Sequence, residues 1–206
     1  MVKEGYWYGL PLVLAAGGLI GFKLYLLAAV FLLVAFLVLN FFRDPDRKIP
    51  AEPEAVVSPA DGRVVQVVEE SFEERPVRRV SIFMSPFDVH VNRSPIAGTI
   101  RQVSYHKGLF HVASQARASV QNEQNVFTLE GVQGLVVVKQ IAGVLARRIV
   151  FWKRPGDTLQ RGERVGLIKF GSRVDVLLNP EVELQVKVGD HIQAGSSILG
   201  FTRPKT

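Results

Sequence analysis

The sequence predicts a mostly β (α+β) protein in which an N-terminal transmembrane helix or helical hairpin precedes a β-sandwich-like domain. Three observations carry that prediction. From Tyr6 to Phe42 the only charged residue is Lys23. After Pro59 the chain is a series of short Val- and Ile-rich runs punctuated by Gly and Pro, the length and composition of strands. Two short motifs also recur further along the chain, as a duplicated β core would show.

The apolar stretch comes first. A spanning helix needs about 20 residues. Residues 6–42 therefore fit a hairpin of 7–22 and 24–42 turning at Lys23. They also fit one span over 24–42 behind an interfacial segment containing Tyr6, Trp7, Tyr8, Gly17, Gly18 and Gly21. A cleaved signal peptide fits less well, because the run is too long and the basic residues follow it. Arg43, Arg47 and Lys48 flank its end. The positive-inside rule then predicts a cell-membrane location with the following domain on the cytoplasmic side. Residues 1–42 read as a membrane anchor and 43–206 as one domain, large enough to bury a core without staples.

Composition narrows the chemistry. The chain of 206 residues has no cysteine, four histidines and a net charge of +6. Disulfides, thiolate metal sites and a cysteine nucleophile are excluded, and little is left for a histidine metal cluster, so no metal is expected. A positive balance beside an apolar N-terminus points to an anionic membrane surface. No dense basic stripe interleaved with aromatics suggests nucleic acid.

Residues 63–68, 77–83, 134–141, 147–152, 174–178 and 183–188 read as strands, with one short helical segment around 113–122. Ser58-Pro59-Ala60-Asp61-Gly62 is echoed by Ser94-Pro95-Ile96-Ala97-Gly98. Gly156-Asp157-Thr158-Leu159-Gln160-Arg161-Gly162 is echoed by Gly189-Asp190-His191-Ile192-Gln193-Ala194-Gly195. A Gly-Asp turn before an apolar residue and a second Gly is a hairpin device. The pattern is similar to the duplicated hairpins of biotinyl and lipoyl domains.

Four places could carry chemistry. Asp61, before Gly62, is by itself a turn residue. The segment 84–95 packs Asp88, His90, Asn92 and Arg93 between two prolines, and strand alternation would put Asp88, His90 and Asn92 on one face. His106 and His111 lie in a loop-like stretch without a third ligand. Gly171-Ser172 lacks the flanking glycine of a hydrolase nucleophile elbow.

Segments 58–62, 83–95, 140–149 and 161–175, in this order, resemble the phosphatidylserine decarboxylases of the short, membrane-anchored prokaryotic type. The resemblance implies that the chain cuts itself between Gly171 and Ser172. The products would be a large chain, 1–171, and a small chain, 172–206, that stay associated; Ser172 becomes a covalent pyruvoyl group. It implies a decarboxylase that needs no pyridoxal phosphate and no metal. Phosphatidylserine would form a Schiff base with the pyruvoyl group and leave as phosphatidylethanolamine, so the partner is a membrane phospholipid. His90 is the implied base for Ser172, oriented by Asp61 or Asp88. Arg93, Asn92 and His111 are the implied substrate contacts. Two positions depart from relatives: Arg93 stands where longer bacterial enzymes carry a second histidine, and Gln124 where relatives often have arginine. Either His90 performs both proton transfers or His106 or His111 takes one. The oligomeric state, a homo-oligomer included, stays open.

Two other classes of function fit the sequence less well. A periplasmic adaptor would carry a long heptad hairpin, which is absent from the sequence. A biotin or lipoyl carrier would need a lysine at a hairpin tip, for which Lys169 is the nearest residue.

Overall fold

The computed structural model describes residues 1–111, 118–143, 148–169 and 172–202. The chain forms two compact units, Met1–Asp46 and Arg47–Thr206.

The first unit is a helical hairpin of α1 (Lys3–Gly21) and α2 (Tyr25–Phe41), turning at Lys23, whose φ of 61° is left-handed. Small residues line the seam. A Cβ on Gly9 would lie 2.4 Å from Leu39 Cδ2, and Ala16, Ala28 and Ala35 are buried. The expected transmembrane element is not present: among the described residues no helix is long and apolar enough to cross a membrane. The turn at Lys23 divides the apolar run. At 17 residues α2 is about 25 Å long, short of a hydrocarbon core of about 30 Å. At 19 residues α1 is longer, but Lys3, Glu4 and its glycines dilute its apolar character.

The second unit is mostly β. Its main feature is a curled, antiparallel eight-stranded sheet in the order β13-β2-β3-β11-β7-β6-β5-β9. The strands are β2 (Gly62–Phe72), β3 (Arg75–Met84), β5 (Gly98–His106), β6 (Gln124–Gly131), β7 (Gly134–Ala142), β9 (Thr158–Leu159), β11 (Ser172–Leu178) and β13 (His191–Ile192). Two three-stranded sheets accompany it. One has the order β1-β14-β12, from Ala55–Val57, Ile198–Phe201 and Glu183–Leu184. The other has the order β4-β10-β8, from Val91–Arg93, Arg164–Ile168 and Ile149–Phe151. A short α3 (Ala118–Gln121) precedes β6, within the stretch expected to be helical; 112–117 lie outside the described residues.

This architecture corrects the expected sandwich. The halves β13-β2-β3-β11 and β7-β6-β5-β9 are not two separate sheets but parts of one. They join edge to edge through six register pairs between β11 and β7, from Ser172↔Ala142 to Leu177↔Val137. The concave side encloses one apolar cluster that includes Val64, Ile82, Ile100, Phe127, Leu129, Val138, Val174 and Val176.

The two halves are copies of one unit, and the repeated motifs make the same hydrogen bonds in each. Gly195 N–H donates to Ser58 O at 2.7 Å and Gly162 N–H to Ser94 O at 2.8 Å. Asp190 Oδ2 accepts from Lys187 N at 2.9 Å and Asp157 Oδ2 from Arg154 N at 2.8 Å. Gly189 N–H donates to Val64 O and Gly156 N–H to Ile100 O, both at 2.8 Å. Ser58 Oγ donates to Ala60 O, and Ser94 Oγ to Ile96 O. Each Gly-Asp turn thus sets a two-residue strand, β13 or β9, against the start of β2 or β5. The second copy, β4 to β10, is contiguous. The first is split: β1 to β3 lie before the insertion and β11 to β14 after it.

Gly62 shows how tight the join is. Its φ is +144°, and an added Cβ would lie 2.1 Å from Phe83 O. Gly62→Ala is therefore expected to lower the melting temperature by roughly 5–10 °C. Thermal unfolding followed by circular dichroism checks this; an unchanged midpoint contradicts it.

Candidate active site

Ser172 opens β11 between two neighbours, opposite Met84 at the end of β3 and Ala142 at the end of β7. It is fully buried. Its position parity with Val174 and Val176, both in the apolar cluster, puts it on the core side of the strand. Its Oγ donates to Met84 Sδ at 3.4 Å. Arg173 and Asp175 occupy the other side. Arg173 Nε donates to Asp175 Oδ1 at 2.6 Å and its Nη2 to Ser81 Oγ at 2.6 Å, while Ser119 Oγ donates to Asp175 Oδ2 at 2.7 Å. Removing one partner of such a buried pair costs about 3–5 kcal/mol, so the start of β11 is firmly held.

After Met84 the chain turns rather than continuing as a strand. Asp88 Oδ2 accepts from Ser85 N at 2.7 Å and Asp88 N donates to Ser85 O, closing the turn. The expected alternation of Asp88, His90 and Asn92 on one strand face therefore does not hold, because a local carboxylate–backbone bond outcompetes extended pairing. His90 is buried, and its Nδ1 lies 2.9 Å from Asp88 O. A carbonyl oxygen only accepts, so Nδ1 carries the proton and Nε2 of the neutral ring keeps its lone pair. This is the base-competent tautomer. His90 O accepts from Ile168 N at 3.4 Å, four residues before Ser172. Phe170 and Gly171 lie outside the described residues.

The orienting group on His90 is thus a main-chain carbonyl, and the two carboxylates bond elsewhere. Asp88 Oδ1 stands 4.0 Å from His191 Nε2. Asp61 accepts from Arg47 Nη2 at 2.8 Å and from Ala194 N at 2.8 Å. Burial pushes the Asp61 carboxyl above the usual carboxylate range, against the opposing pull of Ala194 N–H and the Arg47 guanidinium. Arg47, one of the basic residues flanking the apolar run, is thus bound to Asp61.

The residues implied as substrate contacts are each held by different partners. Arg93 is buried and donates from Nη1 to Gly162 O at 3.0 Å, tying the end of β4 to the Gly162 turn. Asn92 is buried near Ser172, with Nδ2 3.8 Å from Met84 Sδ and Oδ1 accepting from Gln140 Nε2 at 2.8 Å. His111 is held by its main chain: Asn122 Oδ1 accepts from its N and Asn122 Nδ2 donates to its O. That same Nδ2 donates to Ala142 O at 2.7 Å, beside Ser172. His106 is exposed at the end of β5. Lys169 lies between β10 and β11, its N–H bonded to Arg148 O, and not at a hairpin tip. Arg147 lies outside the described residues. Among the described residues no group of three or more His, Asp or Glu is placed to hold a metal ion.

Sequence reasoning missed Arg47 as a partner of Asp61, Asn122 as a clamp, and Met84, Gln140 and Asn125 around Ser172. Gln140 and Asn122 do lie in or beside segments that sequence reasoning singled out.

The side chains of the Arg47–Asp61 pair are only 8% and 11% exposed. Arg47→Met removes the counter-charge, so the Asp61 carboxyl rises further and its ionised form becomes more costly. Because a carboxyl raised in the folded state loses stability as pH rises through its pKa, the destabilisation is expected to be about 2–4 kcal/mol near pH 7.5 and smaller near pH 4.5. Melting temperatures at the two pH values check it; an equal loss at both contradicts the assignment.

Comparison with known proteins agrees with the sequence resemblance. The family model for phosphatidylserine decarboxylase matches residues 34–200. A phosphatidylserine decarboxylase proenzyme from Solibacter usitatus (strain Ellin6076) is 54% identical, over 97% of this chain and 95% of its own length. One from Geotalea uraniireducens (strain Rf4) is 46% identical, over 98% and 96%. One from Salinibacter ruber (strain DSM 13855 / M31) is 46% identical, over 97% and 83%. With the family matched along most of its length, this chain belongs to the phosphatidylserine decarboxylases and is a decarboxylase enzyme.

Proposed function

We propose that this chain is a proenzyme that cuts itself between Gly171 and Ser172, makes a pyruvoyl group from Ser172, and then converts phosphatidylserine to phosphatidylethanolamine. The observation that carries the reading is the placement of Ser172. It is a fully buried serine at the first position of an interior strand, preceded by a segment whose Ile168 N–H is bonded to the carbonyl of a base-competent histidine.

The chain's own groups account for the cut. Ser172 Oγ attacks the Gly171 carbonyl carbon as His90 Nε2 takes the hydroxyl proton. The C–N bond breaks, the Ser172 nitrogen gains a proton, and Gly171 remains as an ester on Oγ. Removal of the Ser172 α-proton expels Gly171 as a carboxylate and leaves dehydroalanine at 172. This tautomerises to an imine, and water then releases ammonia and leaves a ketone. The surroundings of Ser172, namely Met84, Ala142 and the apolar cluster, suit a small uncharged group. The ketone supplies an electrophile for the substrate amine and a sink for the electron pair released with carbon dioxide. Protonated His90 holds a proton for the substrate carbon that loses its carboxylate. His106, exposed at the strand end, is less suited to share that work than His90.

The large chain is 1–171 and the small chain 172–206. They stay together because β11, β13 and β14 remain paired with β3 and β7, β2, and β1. The substrate is a bilayer lipid, and the protein works at the cytoplasmic membrane surface. Trp7, Phe22, Leu26 and Phe36 are exposed on the helical hairpin, and such side chains enter the interfacial layer while their helices lie along it.

Intact-mass analysis tests the reading. The purified protein is expected as two chains split at 171/172, with the small chain lighter than its unmodified sequence by the conversion of serine to pyruvoyl. Ser172→Ala is expected to remain one chain without decarboxylase activity; an active Ser172→Ala protein overturns the mechanism. Because His90 must be neutral to accept the proton, the rate of cutting is expected to fall as the pH is lowered from about 8 to about 5. A rate independent of pH from 5 to 8 points to another base.

A further inference from the structure

Beside Ser172 the interior holds an arrangement that packing alone does not require. Asn125 Nδ2 donates to Gln140 Oε1 at 2.9 Å, Gln140 Nε2 donates to Asn92 Oδ1 at 2.8 Å, and Asn92 Nδ2 faces Met84 Sδ at 3.8 Å. Ser172 Oγ donates to the same sulfur at 3.4 Å. All five residues are buried. The amide chain has one polarity: the Gln140 and Asn92 oxygens are each taken by the preceding NH2, so each NH2 points onward, towards the sulfur. Three buried amides are costly unless satisfied, and their alignment fixes where the last one points. That last amide holds the thioether.

The acceptor's chemistry matters. Elsewhere in this protein, buried serines bond strongly to carbonyl oxygens: Ser58 Oγ to Ala60 O at 2.6 Å and Ser94 Oγ to Ile96 O at 2.7 Å. A hydroxyl held that way must break a good bond before it can attack. A thioether is a weak acceptor. It gives the buried hydroxyl a partner and a direction, yet releases it readily.

We propose that Met84 is a positioning residue for self-cleavage. Its sulfur, fixed by the Asn125–Gln140–Asn92 chain, aims the Ser172 hydroxyl in the uncut protein and releases it to the base. This rests on the reading that Ser172 is the nucleophile.

The sequence contains only two methionines, Met1 and Met84. Global replacement therefore edits this sulfur almost alone. The full chain is translated in a cell-free system with methionine, norleucine or selenomethionine, and the appearance of the 172–206 chain is followed by mass over time. Norleucine keeps the length and flexibility of the side chain without an acceptor, whereas selenomethionine keeps the acceptor. Norleucine is expected to slow cutting by about fivefold or more, the loss of one hydrogen bond, with selenomethionine within about twofold of methionine. The pH at which the rate falls is expected to stay the same in all three, because the sulfur does not titrate. Met84→Leu, which leaves Met1 unchanged, is expected to slow cutting as norleucine does. Equal rates with methionine and norleucine, or equal slowing by norleucine and selenomethionine, overturn the role of the sulfur and leave the Ser172 reading intact. So does a Met84→Leu protein that cuts at the parent rate. A methionine protein that never cuts at 171/172 overturns both.

Discussion

Antiparallel pairing of β11 with β3 on one edge and β7 on the other joins the two halves of the sheet. Seven register pairs link it to β3 and six to β7. The same strand carries Val174 and Val176 into the apolar cluster and locks its other face through Arg173 and Asp175. Ser172 inherits its burial, its neighbours and its facing from this position. Without β11 each half of the sheet would end in an exposed edge, with nothing to hold Met84 and Ala142 beside the serine.

Duplication explains how so small a unit covers its core. Each copy has a turn built on Ser-Pro, a long hairpin and a two-residue strand set by Gly-Asp. The Gly-Asp turns were legible in the sequence because their side-chain bonds are local: the Asp190 carboxylate accepts from Lys187 N–H, and the Asp157 carboxylate from Arg154 N–H. How the copies combine was not legible. The β11–β7 pairing joins residues far apart in the chain, and the same turns would serve a sandwich equally well. The N-terminal run misled for a related reason. Hydropathy counts apolar residues, but Lys23 in the left-handed region divides them between two helices, neither of which meets the requirement of a span.

The site was partly legible. Ser172 and Gly171 came from resemblance alone, since Gly-Ser carries almost no signal by itself. His90 stood out as a histidine among polar residues between prolines, but its orienting partner could not be read, because a main-chain carbonyl leaves no mark in a sequence. Asp61 invited a catalytic role, and its carboxylate is bound to Arg47 and Ala194. Met84 read as one more apolar residue. Its neighbours Asn92 and Gln140 lie 48 positions apart, and only the folded sheet brings them together.

The split of the first copy has a further consequence, one of timing. Everything from β4 to β10 is inserted between β3 and β11, so Ser172 is the residue at which the chain re-enters a unit it left at Met84. No local segment can assemble the surroundings of that serine. The second copy must be complete, and the chain must return, before Ser172 finds Met84 and Ala142 at its sides. Under the proposed self-cleavage, a nascent or misfolded chain would therefore carry no reactive carbonyl. The new end made by the proposed cut would emerge in the interior of a sheet rather than at the surface, where chain termini usually lie. In the proposed reaction, folding would thus act as the safety catch on a reactive group.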